Sequence, residues 1–415
     1  MALTDVTAPV LGQFTIRVRP ATPGASPVEF TRFLQYHYCE NYLSPSDEFW
    51  FEIAEKELSP TDAAALQAGS VVQVLVDGNV QSVGILDEAE ATVDRGSGSL
   101  VRCSGRDQMS LAVDGQVDPH LRFKPSMTLA DIVQDCYGPL GFTDFQIDNE
   151  ANRNVITGQA RGTPTSKRGK PLKSFVLHQE KPYPNEGVYQ FTSRIAQRFG
   201  LWIRPGATAG QLIVAKPDFA QAPRYGLQHA YGADSLSNNV ERGTFARSRK
   251  EQPSILYASG FGGGGEFAKS KLRAGIENPA VAADNSAIIA QYPDAPINVD
   301  ALAPLPNSFA PFIEAKARPA FLYDSESHDQ NQLNNFLLRE LSLRMRKALT
   351  ARYEIMGHLL NGQAPCVDTI VNLNDQRPTV RWQGNLWVLG RRFSLTNKDG
   401  ARTSLDLILP GALQF

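Results

Sequence analysis

Two β-branched runs, Ser70–Val76 and Val80–Leu86, flank Asp77-Gly78-Asn79. Asp-Gly is among the dipeptides favoured by a two-residue type I′ hairpin turn, in which both central residues take positive φ. This pattern forces a tight antiparallel ladder, and similar material surrounds it. Phe14, Ile16 and Val18 alternate with Thr15, Arg17 and Arg19, and Phe49–Ile53 repeats the alternation of a half-buried strand. Thr92–Val93 and Leu100–Ser104 read as further strands around Gly96-Ser-Gly98. The aromatic-rich stretch Phe30–Tyr42 fits strand or short helix. Ser59-Pro60-Thr61-Asp62 caps a single helical turn ending at Gly69. Short strands closed by tight turns predict a small β-barrel or sandwich over residues 8–115.

The periodicity then changes. Leu129, Ile132, Val133 and Cys136 form a helical stripe, with Thr128 as N-cap and Gly138-Pro139 as stop. Val188, Phe191, Ile195 and Phe199 form a second stripe, closed by Gly200, before a hairpin through Leu201–Arg204 and Gln211–Ala215. Ser254–Ser259 reads as a strand, interrupted by Gly260–Gly265. Asn278–Pro319 holds seven prolines and little periodicity, which predicts an extended arm ordered only where a neighbour covers it. A long helix over Ser327–Leu349 follows, with Leu333, Phe336, Leu337, Leu341, Met345, Ala348 and Leu349 on its stripe. Tyr353–His358, Thr369–Leu373, Pro378–Trp382, Leu386–Phe393 and Thr403–Leu409 supply the last strands. The expected fold is α+β and mainly β. It comprises an N-terminal β-barrel at 1–115, an inserted α/β domain at 116–225, strands with a Pro/Gly-rich arm at 226–325, and a long helix plus a second, similar tube-like β-barrel at 326–415.

Composition excludes several function classes. With 41 Lys+Arg against 43 Asp+Glu, the formal net charge of −2 gives no global drive toward nucleic acid or an anionic membrane. Cys39, Cys103, Cys136 and Cys366 form no CxxC pair, so neither a zinc motif nor a disulfide framework is expected. None of His37, His120, His178, His229, His328 and His358 has another histidine at ligand spacing. The start of the chain lacks the regions of a signal peptide, and no run approaches the ~20 apolar residues of a membrane span, so a soluble chain without a membrane anchor or export signal is expected.

Catalytic motifs also fail on their chemistry. Gly96-Ser-Gly-Ser-Leu lacks the second glycine of a nucleophile elbow, HExxH is absent, and Gly260–Gly265 is followed by Glu266-Phe267 where a phosphate loop needs Lys and a hydroxyl. Glu52, Glu55 and Glu57, or Asp87, Glu88 and Glu90, are the carboxylates a glycosidase would use, but each group reads better as a solvated face. Arg161, Lys167, Arg168, Lys170 and Lys173 read as an exposed loop. No catalytic, cofactor-binding or metal site is expected, no cofactor is implied, and the chain is not expected to be an enzyme.

Several segments, in order, resemble one family. They are Val101-Arg-Cys-Ser-Gly-Arg-Asp-Gln-Met-Ser-Leu-Ala-Val-Asp, Thr128-Leu-Ala-Asp-Ile, Glu186-Gly-Val-Tyr-Gln-Phe-Thr-Ser-Arg-Ile-Ala-Gln-Arg-Phe-Gly-Leu-Trp with the hairpin through Gly210-Gln-Leu-Ile-Val, and the helix Leu333–Leu349 feeding Tyr353–His358 and Thr403–Pro410. Together they resemble baseplate hub proteins of Mu-like contractile-tailed phages, related to late-control and type VI spike proteins. One departure is Gly362-Gln-Ala-Pro-Cys-Val-Asp, where the family often has Gly-aromatic-Asn.

The resemblance implies a homotrimer with two β-barrels per chain in a pseudo-hexameric ring, joining a six-fold tail tube to a three-fold spike in the baseplate of the virion tail. It implies the tail tube protein, the central spike protein, other baseplate proteins and the tape measure protein as partners, with DNA only passing through the channel. A tail-borne cell-wall hydrolase, glycosidase or peptidase, is the alternative reading, and a carbohydrate-binding adhesin with an exposed aromatic platform is another.

Overall fold

The computed structural model describes residues 10–412 apart from 23, 95–97, 119–120, 122–126, 149–181, 232–237, 262–270, 280, 298–312, 315 and 325–329. The basic stretch at 160–174, most of the glycine run 260–265, and His120, His178 and His328 lie outside the described residues.

The first seven strands are β1 (Phe14–Arg19), β2 (Val28–Phe30), β3 (Gln35–Asn41), β4 (Glu48–Ala54), β5 (Val71–Val76), β6 (Asn79–Asp94) and β7 (Gly98–Asp107). The ambiguous aromatic stretch is thus extended, and helix α1 (Pro60–Ala65) interrupts the strands with Ser59 and Asp62 in a reciprocal capping box. Asp77 and Gly78 have φ of 51° and 76°, the twist that lets β5 turn directly into β6. Phe14, Ile16, Val18, Tyr36, Tyr38, Phe49, Phe51, Val72 and Val74 alternate inward and fill one core.

Helices α2 (Ser110–Asp114), α3 (Leu129–Tyr137) and α4 (Val188–Ala196) follow, with strands β8 (Asp144–Ile147), β9 (Trp202–Pro205) and β10 (Gln211–Ala215) in a small separate sheet. Thr128 and Asp131 cap α3 reciprocally, and Gly200, at φ 68°, ends the turn after α4. The predicted stripes of both helices face a core that includes Leu129, Ile132, Val133, Phe191, Ile195, Leu212 and Val214.

The rest contains β11 (Tyr225–His229), β12 (Arg242–Arg247), β13 (Ile255–Phe261), β14 (Lys271–Glu277), β15 (Val281–Ala282), α5 (Ser286–Ile289), β16 (Ile313–Glu314) and β17 (Pro319–Asp324). It ends with α6 (Gln330–Ala348), β18 (Leu349–Met356), β19 (Ile370–Asp375), β20 (Trp382–Thr396) and β21 (Gly400–Ile408). Leu333, Leu337, Leu341 and Met345 of α6 pack with Leu256 and Ala258 of β13 and Ala274 and Ile276 of β14. The described part of the Pro-rich stretch lies on its own chain, because the Gly275 amide donates to the Pro296 carbonyl and Ala295 packs beside Ile255 and Tyr257. Its own strands β13 and β14 supply the cover that the sequence left to a neighbour.

The fold is mostly β, as expected, but the described strands do not form two closed barrels. Thirteen of them form one sheet, β12-β18-β21-β20-β3-β4-β7-β6-β5-β1-β2, with β19 and β11 branching from β20, and the others form the sheets β8-β10-β9, β14-β13-β17 and β15-β16. Two rolls share this sheet. In the first, β1 and β3 are far apart in strand order, yet Phe14 stacks on Tyr36 at 3.9 Å between ring centroids. In the second, Arg377 beyond β19 donates to the Gly243 carbonyl of β12 at 2.7 Å. Each roll therefore meets itself through side chains where its ladder is open. Strand β20 joins them: its first half pairs with β19, its second half with β3, and the register shifts between Val388 and Gly390.

Candidate functional site

The seam between the rolls concentrates the buried polar chemistry. Pairing of β3 with β20 sets Arg391 opposite Glu40. The Arg391 guanidinium is buried, donates through Nε to Glu40 at 2.5 Å, and donates through Nη1 to Gln81 at 2.7 Å and to the Pro365 carbonyl at 2.5 Å. Tyr38 and Phe393 lie under its plane at 5.6 and 5.0 Å. A guanidinium so enclosed is held by all of these partners together, and removal of one leaves a charge out of water.

Asp47 and Asp107 sit beside it, both buried. Asp107 accepts from the Ser46 hydroxyl at 2.7 Å and from the Asp47 and Met109 amides at 3.0 and 2.9 Å, so it pins the loop after β3 to the start of α2. Burial, then the Glu40 and Asp107 charges, pushes the Asp47 carboxyl well above its ordinary range, and burial also raises Asp107.

His358 closes the other side of the seam. Thr403 Oγ1 donates to the Gly357 carbonyl at 2.7 Å, so its contact with His358 Nδ1 at 3.0 Å makes Nδ1 the protonated nitrogen. Nε2 then accepts from the Tyr36 hydroxyl at 2.5 Å. Burial lowers the imidazole to about 4, and it is neutral at physiological pH.

The α/β unit docks against both rolls. Arg204 of β9 donates to Asp368 at 3.0 Å, and Trp202 meets the Tyr42 ring edge-on at 5.8 Å, with Trp387 on the far side of Tyr42 at 5.0 Å. The Gln108 amide holds the β9–β10 turn, accepting from the Gly210 amide at 2.8 Å and donating to the Gln211 carbonyl at 3.2 Å. The three parts enclose a cleft of about 480 Å³ lined by Glu40, Asp47, Gln81, Arg204, Arg224 and Arg391, among others.

This arrangement is a network of ion pairs and hydrogen bonds that ties the three parts together. Burial pushes the Cys103 and Cys136 thiols up to about 12, which makes them unreactive. Of the carboxylates nominated from sequence, Glu52, Asp87, Glu88 and Glu90 lie on strands, and Glu55 and Glu57 form a 3-10 turn after β4. Glu52 pairs with Arg102, Asp87 with Arg106 at 2.8 Å and Glu57 with Arg32 at 3.4 Å, while Glu55 accepts from the Ser99 hydroxyl and Glu88 and Glu90 are exposed on β6. Glu52 and Glu90 flank Arg102 in one cross-strand row, so they stand on a paired sheet face and not across a cleft. Sequence reasoning missed Arg391, Glu40, Asp47, Asp107 and His358. The one local signal was a charged residue at an inward position of the Leu386–Phe393 strand.

No protein-family model matches the chain, and no curated protein matches it by sequence. Among solved structures it is similar to the tail protein from Neisseria meningitidis MC58, with TM-score 0.66 and 19% identity over 97% of this chain and 98% of that chain. It is similar to the 43 kDa tail protein of prophage MuSo2 from Shewanella oneidensis, with TM-score 0.65 and 15% identity over 97% and 99% of the two chains. Prophage tail protein gp18 from Listeria monocytogenes EGD-e aligns with TM-score 0.51 and 10% identity over 95% and 94%. Along nearly its whole length, this chain has the fold of phage tail proteins.

Proposed function

We propose that this chain is a structural hub of a phage tail, a non-enzymatic protein that assembles as a homotrimer at the baseplate of the virion. The observation that carries the reading is the likeness to two phage tail proteins over 97% of the chain, with two rolls fused through one strand. Three copies place six rolls in a ring, which lets one face seat a six-fold tail tube and the other a three-fold spike. Of the divisions at 1–115, 116–225, 226–325 and 326–415, the first and last then form the ring together with β11 and β12, and 116–225 and the remainder of 226–325 are insertions. Tail tube, central spike, other baseplate proteins and the tape measure protein are the partners, and DNA passes through without a strongly basic wall to hold it.

Deleting the coding sequence from the phage or prophage tests this role. The expected lysate contains heads without complete tails, restored by the gene supplied in trans. Complete, contractile tails without the protein would contradict it. Clearing of peptidoglycan by the purified chain, abolished by one carboxylate substitution, would favour the hydrolase instead.

One observation favours a second reading, the adhesin. Tyr257, Tyr292 and Phe321 form a ring cluster with centroids 5.0 to 5.7 Å apart, and Phe321 is 56% exposed. Retention of wild-type cell binding by Phe321→Ala would remove that reading.

A further inference from the structure

The outer face of the sheet at the seam carries a cluster outside the network described above. Strand pairing sets Glu48 of β4, Cys39 of β3 and Arg392 of β20 in one cross-strand row. His37, two residues before Cys39, points to the same face. The ligand atoms of His37, Cys39 and Glu48 all lie within 4.8 Å of one another. Strand geometry makes the grouping durable, because directly opposed side chains and i, i+2 neighbours on one face cannot drift apart without breaking the ladder. His37 is also oriented from outside: its ring stacks on Trp50 at 5.9 Å and 16°, and Arg102 covers Trp50 at 4.6 Å.

We propose that His37, Cys39 and Glu48 form a binding site for a borderline divalent cation of the zinc class. One imidazole nitrogen, one thiolate and one carboxylate are the N, S and O donors that such ions take in four-coordinate sites, with the fourth position left to water. A hard cation such as Mg²⁺ would not select a thiolate. The two anionic donors balance the charge of the ion. Binding replaces the Cys39 S–H bond by an S–metal bond and releases that proton to solvent, with no change of oxidation state.

Arg392 supports the assignment from outside the donor set. Its Nη2 lies 3.9 Å from Cys39 Sγ, and its Nε is buried without a hydrogen-bond partner. A neutral thiol is a weak acceptor for a guanidinium, whereas a metal-bound thiolate offers it a charge-assisted one. Burial of Cys39 works in the other direction, raising the thiol above its usual range, and the ion must overcome that.

Sequence spacing did not disclose this site, since Glu48 reaches the pair only across the β3–β4 ladder. The test is titration of the intact, chelator-treated chain with Co²⁺ alone. The expected result is one ion per chain, a thiolate-to-Co²⁺ charge-transfer band, release of about one proton, and displacement by Zn²⁺. Cys39→Ser removes the band, while Cys366→Ser keeps it. Glu48→Gln, at an exposed position that leaves the fold intact by circular dichroism, weakens binding at least ~10-fold. No charge-transfer band in the intact chain, a band that survives Cys39→Ser, or unchanged affinity in Glu48→Gln would overturn the proposal.

Discussion

The N-terminal roll meets itself through aromatic rings, whereas the C-terminal roll adds buried charges to an aromatic contact, Phe245 on Trp382. Phe14 stacks on Tyr36, and Phe33 packs edge-on against Phe14, Tyr36 and Phe51. In the other roll the Tyr353 hydroxyl donates to buried Asp375 at 2.5 Å, Arg377 donates to both Asp375 and the Gly243 carbonyl, and Arg247 donates to the Val380 carbonyl at 3.0 Å. A sheet rolled without a closing ladder must still join its two ends. Apolar contact does this without directional demands, whereas hydrogen-bonded charge fixes one geometry and is costly to break.

Removal of a single side chain therefore has its largest effect in the C-terminal roll. Asp375→Ala leaves Arg377 and Tyr353 facing each other without a carboxylate, and should cost about 3–5 kcal/mol in urea unfolding. A loss under about 1 kcal/mol, the range of an exposed pair, would mean that the charges do not close this roll.

Protonation of His358 at the seam has the next largest effect. His358 is held near 4 by burial against an unfolded value near 6.5, so it withholds a proton in the fold that the unfolded chain accepts. Its contribution is fully present above pH ~6.5 and is lost as pH falls through about 4, a difference of about 3 kcal/mol. Raised Asp47 and Asp107 act in the opposite sense, favouring the fold at acid pH, so the measurement compares the chain with His358→Gln. The difference between their stabilities should change across that window and stay flat above it. A pH-independent difference would show that His358 does not titrate with unfolding.

Gly243 gives a smaller effect. A Cβ there would lie 2.5 Å from the Tyr353 ring, so Gly243→Ala pushes Tyr353 off Asp375 at a cost of about 1–3 kcal/mol. Unchanged stability would show that the ring is free to shift. The smallest is a coupling energy: a Phe14→Leu, Tyr36→Leu double-mutant cycle should give about 0.5–1.5 kcal/mol. Additive losses would mean that the N-terminal roll is closed by area alone.

Local features of the fold were legible in the sequence, and long-range ones were not. Asp77-Gly78 announced its hairpin because positive φ at two successive residues suits few other dipeptides. Thr128 announced the start of α3 because N-capping is confined to the first turn of a helix. The β3–β20 pairing joins residues some 350 positions apart, and nothing local sets that register. The two closed barrels expected from the paired β-rich ends gave way to one shared sheet for that reason. Arg391 showed only as a charge at an inward strand position, because its partners Glu40, Gln81 and Pro365, which make its burial tolerable, are set by the fold. The cleft carboxylates escaped notice likewise, and those nominated instead belong to solvated faces.

In the proposed hub, three copies of this two-roll chain surround the tail axis. Counting copies in purified tails by quantitative mass spectrometry, alongside the solution mass of the isolated protein, tests it directly. Three copies per tail tip, and a solution species at three times the 45.5 kDa chain when assembly occurs without partners, are the expected results. A single copy, or six, at the tip of an intact tail would contradict the account.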